Sequence, residues 1–559
     1  MQIGRQGFYS VERLESFDQY CKTTSRTRAI LVCIVAPLPA LITAVLLECL
    51  PLSDPSEGWV VNWVLWIRMG LMQVILCFEG SSLMASFIPG LDYSLFKRFT
   101  VALGTCIGSI SFCILMASTI GFPVPFMAQL TSIPVAICMP ALVRLVLGPA
   151  IFMKGSRFKL YSARFYSFFF AYTTLIGIYP LYKVFYEFVP EQYRGAVVIV
   201  LPVWKFAAKM FLLRSIREVE DYIPTLVAIT VDFLSTLFIS VCMSTSGSIY
   251  FTILLITADI AESVLDYREL RLNATVLISL LDDRNKSLKR TQRDIQSEST
   301  DLTAIVLEIT RNPSDFNLAT LDRVRLYACL PHPLTRTQID KLHDLDLLRV
   351  YSREGQPSSR TLNSSHQRRH PTVTQHRSLH QVQRVSVAPV ENNLGSLNAE
   401  ISPPKLQLEH QADQRSKIKQ AERSAKLVKQ GLQLLFHCEY LALVEYVECV
   451  VPLIFVAFKS ILEQLPNIVY YPGGAGNWTL NVVANIFIFA SLEIGSLILF
   501  DKLLHRRFAI SPLHQLAFVL ETEVTMVQVT LFTEIVILLQ YELQHLGADF
   551  SLRFEWLHH

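Results

Sequence analysis

Two pairs of carboxylates, Asp259 with Glu262 and Glu445 with Glu448, are spaced i and i+3 inside otherwise apolar stretches. On a helix that spacing puts both members of a pair on one face. Carboxylates crowded in this way can bind a cation or pass a proton. Asp232, Glu493 and Glu534 stand in similarly apolar surroundings and join them as a candidate ion or proton path. Arg68, Glu79, Arg144, Lys205 and Lys209 read as structural charge partners. Charge in hydrocarbon is costly, so such residues turn toward a bundle interior and mark a functional site by default. The plainer reading has the outermost acids reaching the headgroup region and the bases pairing with acids on neighbouring helices as packing glue.

The elements that must position these groups are membrane helices. Of 559 residues, 51% are hydrophobic and 17% charged, and the mean hydropathy of +0.37 is too apolar for a water-soluble surface. The apolar residues are clumped in stretches of about 20, the length that crosses a bilayer as a helix. Only helices satisfy their own backbone hydrogen bonds there within one short segment. The expected fold is an all-α polytopic membrane bundle of about eleven spans. They fall near 29–50, 63–87, 100–120, 126–148, 165–189, 195–213, 225–245, 249–265, 441–462, 482–500 and 524–541.

Basic residues orient it, because Lys and Arg in short loops stay cytosolic. Arg5, Arg13, Lys22, Arg26 and Arg28 precede the first span. Alternate loops carry Lys97 and Arg98, then Lys154, Arg157, Lys159 and Arg164, then Arg214 and Arg217, and finally Lys502, Arg506 and Arg507. The N-terminal segment 1–28 is therefore expected in the cytosol, without a removable signal peptide, and the tail 542–559 outside. The outside loop 463–481 holds the sequon Asn477-Trp478-Thr479, so Asn477 is a glycosylation candidate.

A pattern recurs in three outward-running spans. Pro37-Leu38 precedes Glu48, Pro180-Leu181 precedes Glu191-Gln192, and Pro452-Leu453 precedes Glu463-Gln464. It suggests a parallel internal repeat of four, four and three helices about an axis normal to the membrane, with prolines that break helices at matching depths. The first membrane region, 29–265, is separated from the second, 441–541, by a long cytosolic loop. Within it, 266–350 reads as short helices at Leu270–Leu281, Leu302–Ile309 and Ile339–Leu348. Residues 351–413, rich in Ser, Gln, His, Arg and Pro, read as a disordered linker. Residues 414–440 read as a basic amphipathic helix. Its Arg415, Lys417, Lys419, Arg423, Lys426 and Lys429 are candidate contacts for anionic lipid of the cytosolic leaflet, or else the charged face of a connector.

Enzyme signatures are missing: there is no Gly-rich loop ending in Lys-Ser/Thr, no H-E-x-x-H and no G-x-S-x-G in a suitable setting. Eleven cysteines include no C-x-x-C pair, and most lie inside spans. A net charge of +3 and no nucleic-acid module leave nucleic acid an improbable partner. No cofactor is expected.

Several runs carry a resemblance. Ser10-Val11-Glu12-Arg13-Leu14 with Tyr20-Cys21, Leu46 to Leu52 ahead of Gly58-Trp59, Gly121 to Phe126, Phe436 to Tyr440 with Val444 to Cys449, and Leu516 to Glu521 resemble a large family of uncharacterised multi-pass membrane proteins expanded in oomycetes. The resemblance implies a shared membrane fold and no activity. The preferred functional expectation is a transporter or channel-like protein moving a small solute or ion without ATPase machinery. A receptor or scaffold acting through the cytosolic loop is the alternative, and an intramembrane metal-dependent enzyme the third.

Overall fold

The computed structural model describes residues 6–149, 158–190, 194–246, 249–291, 301–318, 320–352 and 404–547, with isolated positions at 153 and 156. These residues are almost wholly helical. Among them seven helical stretches are long and apolar enough to cross a membrane. The first, Arg26–Glu48, is interrupted at Pro37, which divides α2 (Arg26–Val35) from α3 (Leu38–Glu48). A short amphipathic helix, α1 (Val11–Thr23), precedes it. Then come α4 (Trp63–Phe87), α5 (Leu95–Ile120) and the stretch Met127–Leu147, formed by α6 (Met127–Leu130) and α7 (Ser132–Leu147). The fifth, Glu220–Ser244, comprises α10 (Ile223–Val227), a π-helical turn over Ala228–Asp232 and α11 (Phe233–Ser246).

The last two lie within α15 (Pro404–Leu462) and α16 (Leu480–Phe508). An eighth candidate is the pair α17 (Pro512–Thr522) and α18 (Val524–Leu538), which meet at 85° around Glu523. Three more expected spans coincide with helices: α8 (Lys159–Phe188), α9 (Arg194–Ile216) and the long α12 (Ile249–Thr291).

Two helices make the centre. In the most apolar stretch of Glu220–Ser244, 94% of residues are buried inside the protein, against 22% for Met127–Leu147. The first is therefore surrounded by other helices and the second faces lipid along most of its length. The second central element, α15, packs on α3, α11, α12, α16 and α17. Outer helices approach closely through small residues. A Cβ at Gly104 or Gly108 of α5 would come within 2.8 Å or 2.9 Å of Leu142 or Cys138 of α7.

Some expectations need revision. Leu270–Leu281 is no separate helix but part of α12, which runs on past the expected end of its span beside α15. The helical reading of 266–350 holds for α13 (Leu302–Arg311) and α14 (Arg336–Leu347). It misses a two-stranded parallel ladder between β1 (Leu321–Arg325) and β2 (Tyr351–Ser352), which is too short to show a period. Residues 404–413, assigned to the linker, are helical; most of the remaining linker lies outside the described residues. Of the repeat's prolines, Pro37 interrupts a helix, whereas Pro180 and Pro452 lie within continuous ones. The common break that the repeat calls for is therefore seen at the first copy alone.

The N-terminal segment and the β1 region are fastened to the spans by a buried ion-pair network. Ser10 caps α1 by accepting from Arg13 N. The Arg13 guanidinium, wholly buried, pairs with Glu439 of α15 at 2.8 Å and with Glu523 at the bend between α17 and α18 at 2.7 Å. Rings of Tyr9, Tyr222 and Phe518 surround it at 5.3–5.7 Å. Burial works against this charge, but Glu439 and Glu523 outweigh it and raise the Arg13 pKa. Glu12 accepts from Ala328 N and His332 N, and Asp221 accepts from both terminal nitrogens of Arg325 and from Cys329 N. Burial, with Asp221 nearby, pushes the Cys329 thiol up to about 11, so a neutral thiol faces Arg325.

Removing Arg13 strands two buried carboxylates. Arg13→Ala is expected to cost about 3–5 kcal/mol, seen as a lowered thermal midpoint in detergent micelles. Arg13→Lys should recover only part of the loss, because an ammonium lacks the planar fork that engages both acids.

Candidate functional site

Five elements bring their charges to one place. α9 supplies Lys205 and Lys209 on successive turns, and the π-helical turn supplies Asp232. α12 supplies Asp259, Glu262 and Asp266, α15 supplies Tyr440, Glu445 and Glu448, and α16 supplies Glu493. These side chains fall between mid-span and one common end of the bundle, with Lys205 and Glu493 nearest the middle of their helices. Shared depth is what allows residues so far apart in the chain to meet.

The Lys205 ammonium is the hub. It lies 3.0 Å from Asp232 Oδ1, 3.0 Å from Glu262 Oε1 and 3.7 Å from Glu448 Oε1. Lys209 Nζ lies 2.8 Å from Asp232 Oδ1 and donates to Tyr440 Oη at 2.7 Å; Tyr440 in turn donates to Asp232 Oδ2 at 3.3 Å. Asp232 is completely buried and held by two ammonium groups, an arrangement that leaves it no room to act as a mobile ligand. A π turn forces a residue out of the regular helical row and often coincides with a functional position. Here it presents Asp232 to α9.

On the other side of Lys205 lies a cavity of about 380 Å³ between α12, α15 and α16, a volume in the range of small-molecule sites. Five carboxylates line it, those of Glu262, Asp266, Glu445, Glu448 and Glu493, together with Lys205, Ser496 and a largely apolar wall. Carboxylate oxygens of Asp259, Glu448 and Glu493 lie within 4.8 Å of one another. At that separation two ionised groups repel by about 3 kcal/mol with an effective dielectric constant near 20. The excess of acid over base calls for a cation or shared protons.

The remaining expected residues are placed elsewhere. Glu534 of α18 is fully buried, neither of its oxygens has a hydrogen-bond partner among the described residues, and it does not line this cavity. Arg68 of α4 pairs with Glu48 at the outer end of α3 and donates to Gln540 at 3.0 Å, while Tyr471 donates to Glu48 at 2.6 Å. Glu79 is half-buried within electrostatic reach of Arg98. Arg144 is exposed and forms no ion pair among the described residues. Asn477 is exposed in the loop before α16. Arg415, Lys417, Lys419, Arg423 and Lys426 are exposed, and Lys429 sits over the Phe8 ring. Because α15 is unbroken, they lie along the axis of the span, with Lys429 about 18 Å and Lys417 about 36 Å before Leu441.

Sequence reading missed Asp266, one residue past the expected end of its span, and the pairing of Glu439, Glu523 and Asp221 with Arg13 and Arg325. A signal was present for two of them. Glu439 sits in the run Phe436 to Tyr440, and Arg13 in the run Ser10 to Leu14, both singled out by the resemblance. Comparison with known protein families, with curated proteins and with solved structures finds no match.

Lys205→Met would leave Asp232, Glu262 and Glu448 facing one another with one cation fewer, a loss of about 3–5 kcal/mol. Lys209→Met should be milder, since Lys205 still holds Asp232. Thermal unfolding of the two purified variants checks the order.

Proposed function

We propose that this chain is a multi-pass membrane transporter or channel-like protein that moves a small solute or ion without ATPase machinery, using the carboxylate-lined cavity as its binding site. One observation carries the reading: acids from α12, α15 and α16 converge on a cavity at one end of the spans, and the single ammonium among them cannot balance them. The reading takes the protein as eleven spans, adding α8, α9 and α12 to the eight stretches above. It places the N-terminus in the cytosol and the tail outside, and the cavity accordingly on the cytosolic side. The parallel repeat of four, four and three helices belongs to the same proposal, as does contact of the basic face of α15 with anionic lipid.

A receptor or scaffold reading has one observation in its favour. Arg13 and Arg325 tie the N-terminal segment and the β1 region to span ends and to the bend at Glu523, so the state of the cytosolic elements would be felt by α17 and α18. An intramembrane metal-dependent enzyme would use the same acid triad but calls for a closed pocket, whereas Ile260, Val264, Leu492 and Leu499 on this cavity wall are exposed.

Proteoliposomes loaded with a pH-sensitive dye and challenged with a panel of inorganic cations and amines test the proposal. The expected result is a solute-dependent proton or cation flux, reduced at least tenfold by Glu448→Gln with Glu493→Gln. No flux for any solute, or equal flux through the double variant, would contradict it.

A further inference from the structure

The wall of the cavity divides into two parts. Its floor holds Glu445, Glu448 and Glu493 beside Lys205, and its mouth is formed by Ile260 and Val264 of α12 and Leu492 and Leu499 of α16. Those four apolar side chains are 47–59% exposed and lie within the expected spans, where exposure means contact with lipid tails. The cavity therefore opens sideways into the bilayer, near its cytosolic face. A ligand entering by that route must be soluble in lipid.

The floor specifies the rest. Glu493 is 3% exposed and lines the cavity, and the hydrogen bond it shares is with another acid, Asp259. Two carboxyl groups joined by one proton still carry one negative charge, and oxygens of Asp259, Glu448 and Glu493 lie within 4.8 Å of one another. Lys205 is already engaged by Asp232, Glu262 and Glu448, so among the described residues Glu445, which accepts from Ser496, and Glu493 face the cavity with no ion pair of their own. A bare divalent ion is a poor match, since hard cations take six to eight oxygen ligands, Glu445 and Glu493 together offer at most four, and most of the rest of this wall is hydrocarbon. An ammonium group has three donors and a small charged head, and a chain attached to it can lie along the apolar mouth and out between α12 and α16.

We propose that the ligand is an amphipathic amine, a protonated ammonium on an apolar tail, which enters laterally from the cytosolic leaflet and docks its ammonium against Glu445 and Glu493. The inference rests on the transport reading and narrows its solute. Moving the tail from lipid to the protein wall changes its surroundings little, so the tail concentrates the ligand in the membrane and the head supplies the discrimination.

Gly495 offers a way to test the pocket without touching the acids, because a Cβ there would meet nothing within 4 Å and so projects into open space. The experiment is equilibrium binding of radiolabelled dodecylamine, with dodecanol as the uncharged tail control and Mn²⁺ as the bare-ion control, to the purified full-length chain in nanodiscs. Saturable dodecylamine binding is expected, with affinity at least tenfold above dodecanol. Glu493→Gln should lower it at least tenfold, and so should Gly495→Leu, which fills the pocket and keeps every carboxylate. Equal binding of dodecanol, saturable binding of Mn²⁺ without the amine, or unchanged binding in Gly495→Leu would overturn the proposal. Flux of a small cation in proteoliposomes alongside no amine binding would overturn this inference and leave the transport reading standing.

Discussion

The Lys205 ammonium, set among Asp232, Glu262 and Glu448, is the contact on which the arrangement of the central helices depends. In a low-dielectric bundle an ion must find its counter-ions within a few ångströms or not ionise at all. Lys205 on α9 meets that condition only if the π turn, α12 and α15 all stand beside it at the same depth. Helix association in lipid has little hydrophobic drive, so such pairs do more to choose neighbours here than they would in water. The apolar faces of the outer helices follow, packing through close approaches such as those at Gly104 and Gly108.

α15 links that centre to the N-terminal segment. Its 59 residues form a rod of about 88 Å, which carries Glu439 for Arg13, Tyr440 for the Lys209–Asp232 pair, and Glu445 and Glu448 for the cavity. Adjacent residues of one helix thus belong to the Arg13 clamp and to the carboxylate-lined site. A rigid helix transmits a tilt between them without further machinery. Any change in how Arg13 holds Glu439 and Glu523 acts on the wall of the cavity on one side and on the bent α17–α18 pair on the other.

Much of this was legible in the chain. Hydropathy located the helices, and the i, i+3 spacing of Asp259 with Glu262 and of Glu445 with Glu448 put each pair on one face. The rest depended on facts that no local pattern encodes. Which helices are neighbours decides that Asp232 is neutralised by α9 while Glu493 faces a cavity, although both read alike as lone acids in apolar runs. Glu534 shared that appearance and stands apart because α18 packs elsewhere, against α3 and α4. The bend at Glu523 has no local signature either, since an apolar run that carries Glu521, Glu523 and Glu534 looks the same whether straight or folded through 85°. The β1–β2 ladder pairs segments too short for periodicity to reveal.

The central claim is that acids from three helices converge on one accessible, negatively charged cavity. The most direct test uses Ser496, which lines that cavity. In Ser496→Cys, with the exposed Cys21 and Cys49 replaced, the rates of thiol modification by a cationic and an anionic reagent of equal size are compared. The account predicts a rate at least tenfold faster for the cation, and a ratio near one once Glu448 and Glu493 are both changed to Gln. Equal rates in the protein that keeps its acids, or a preference for the anion, would contradict it.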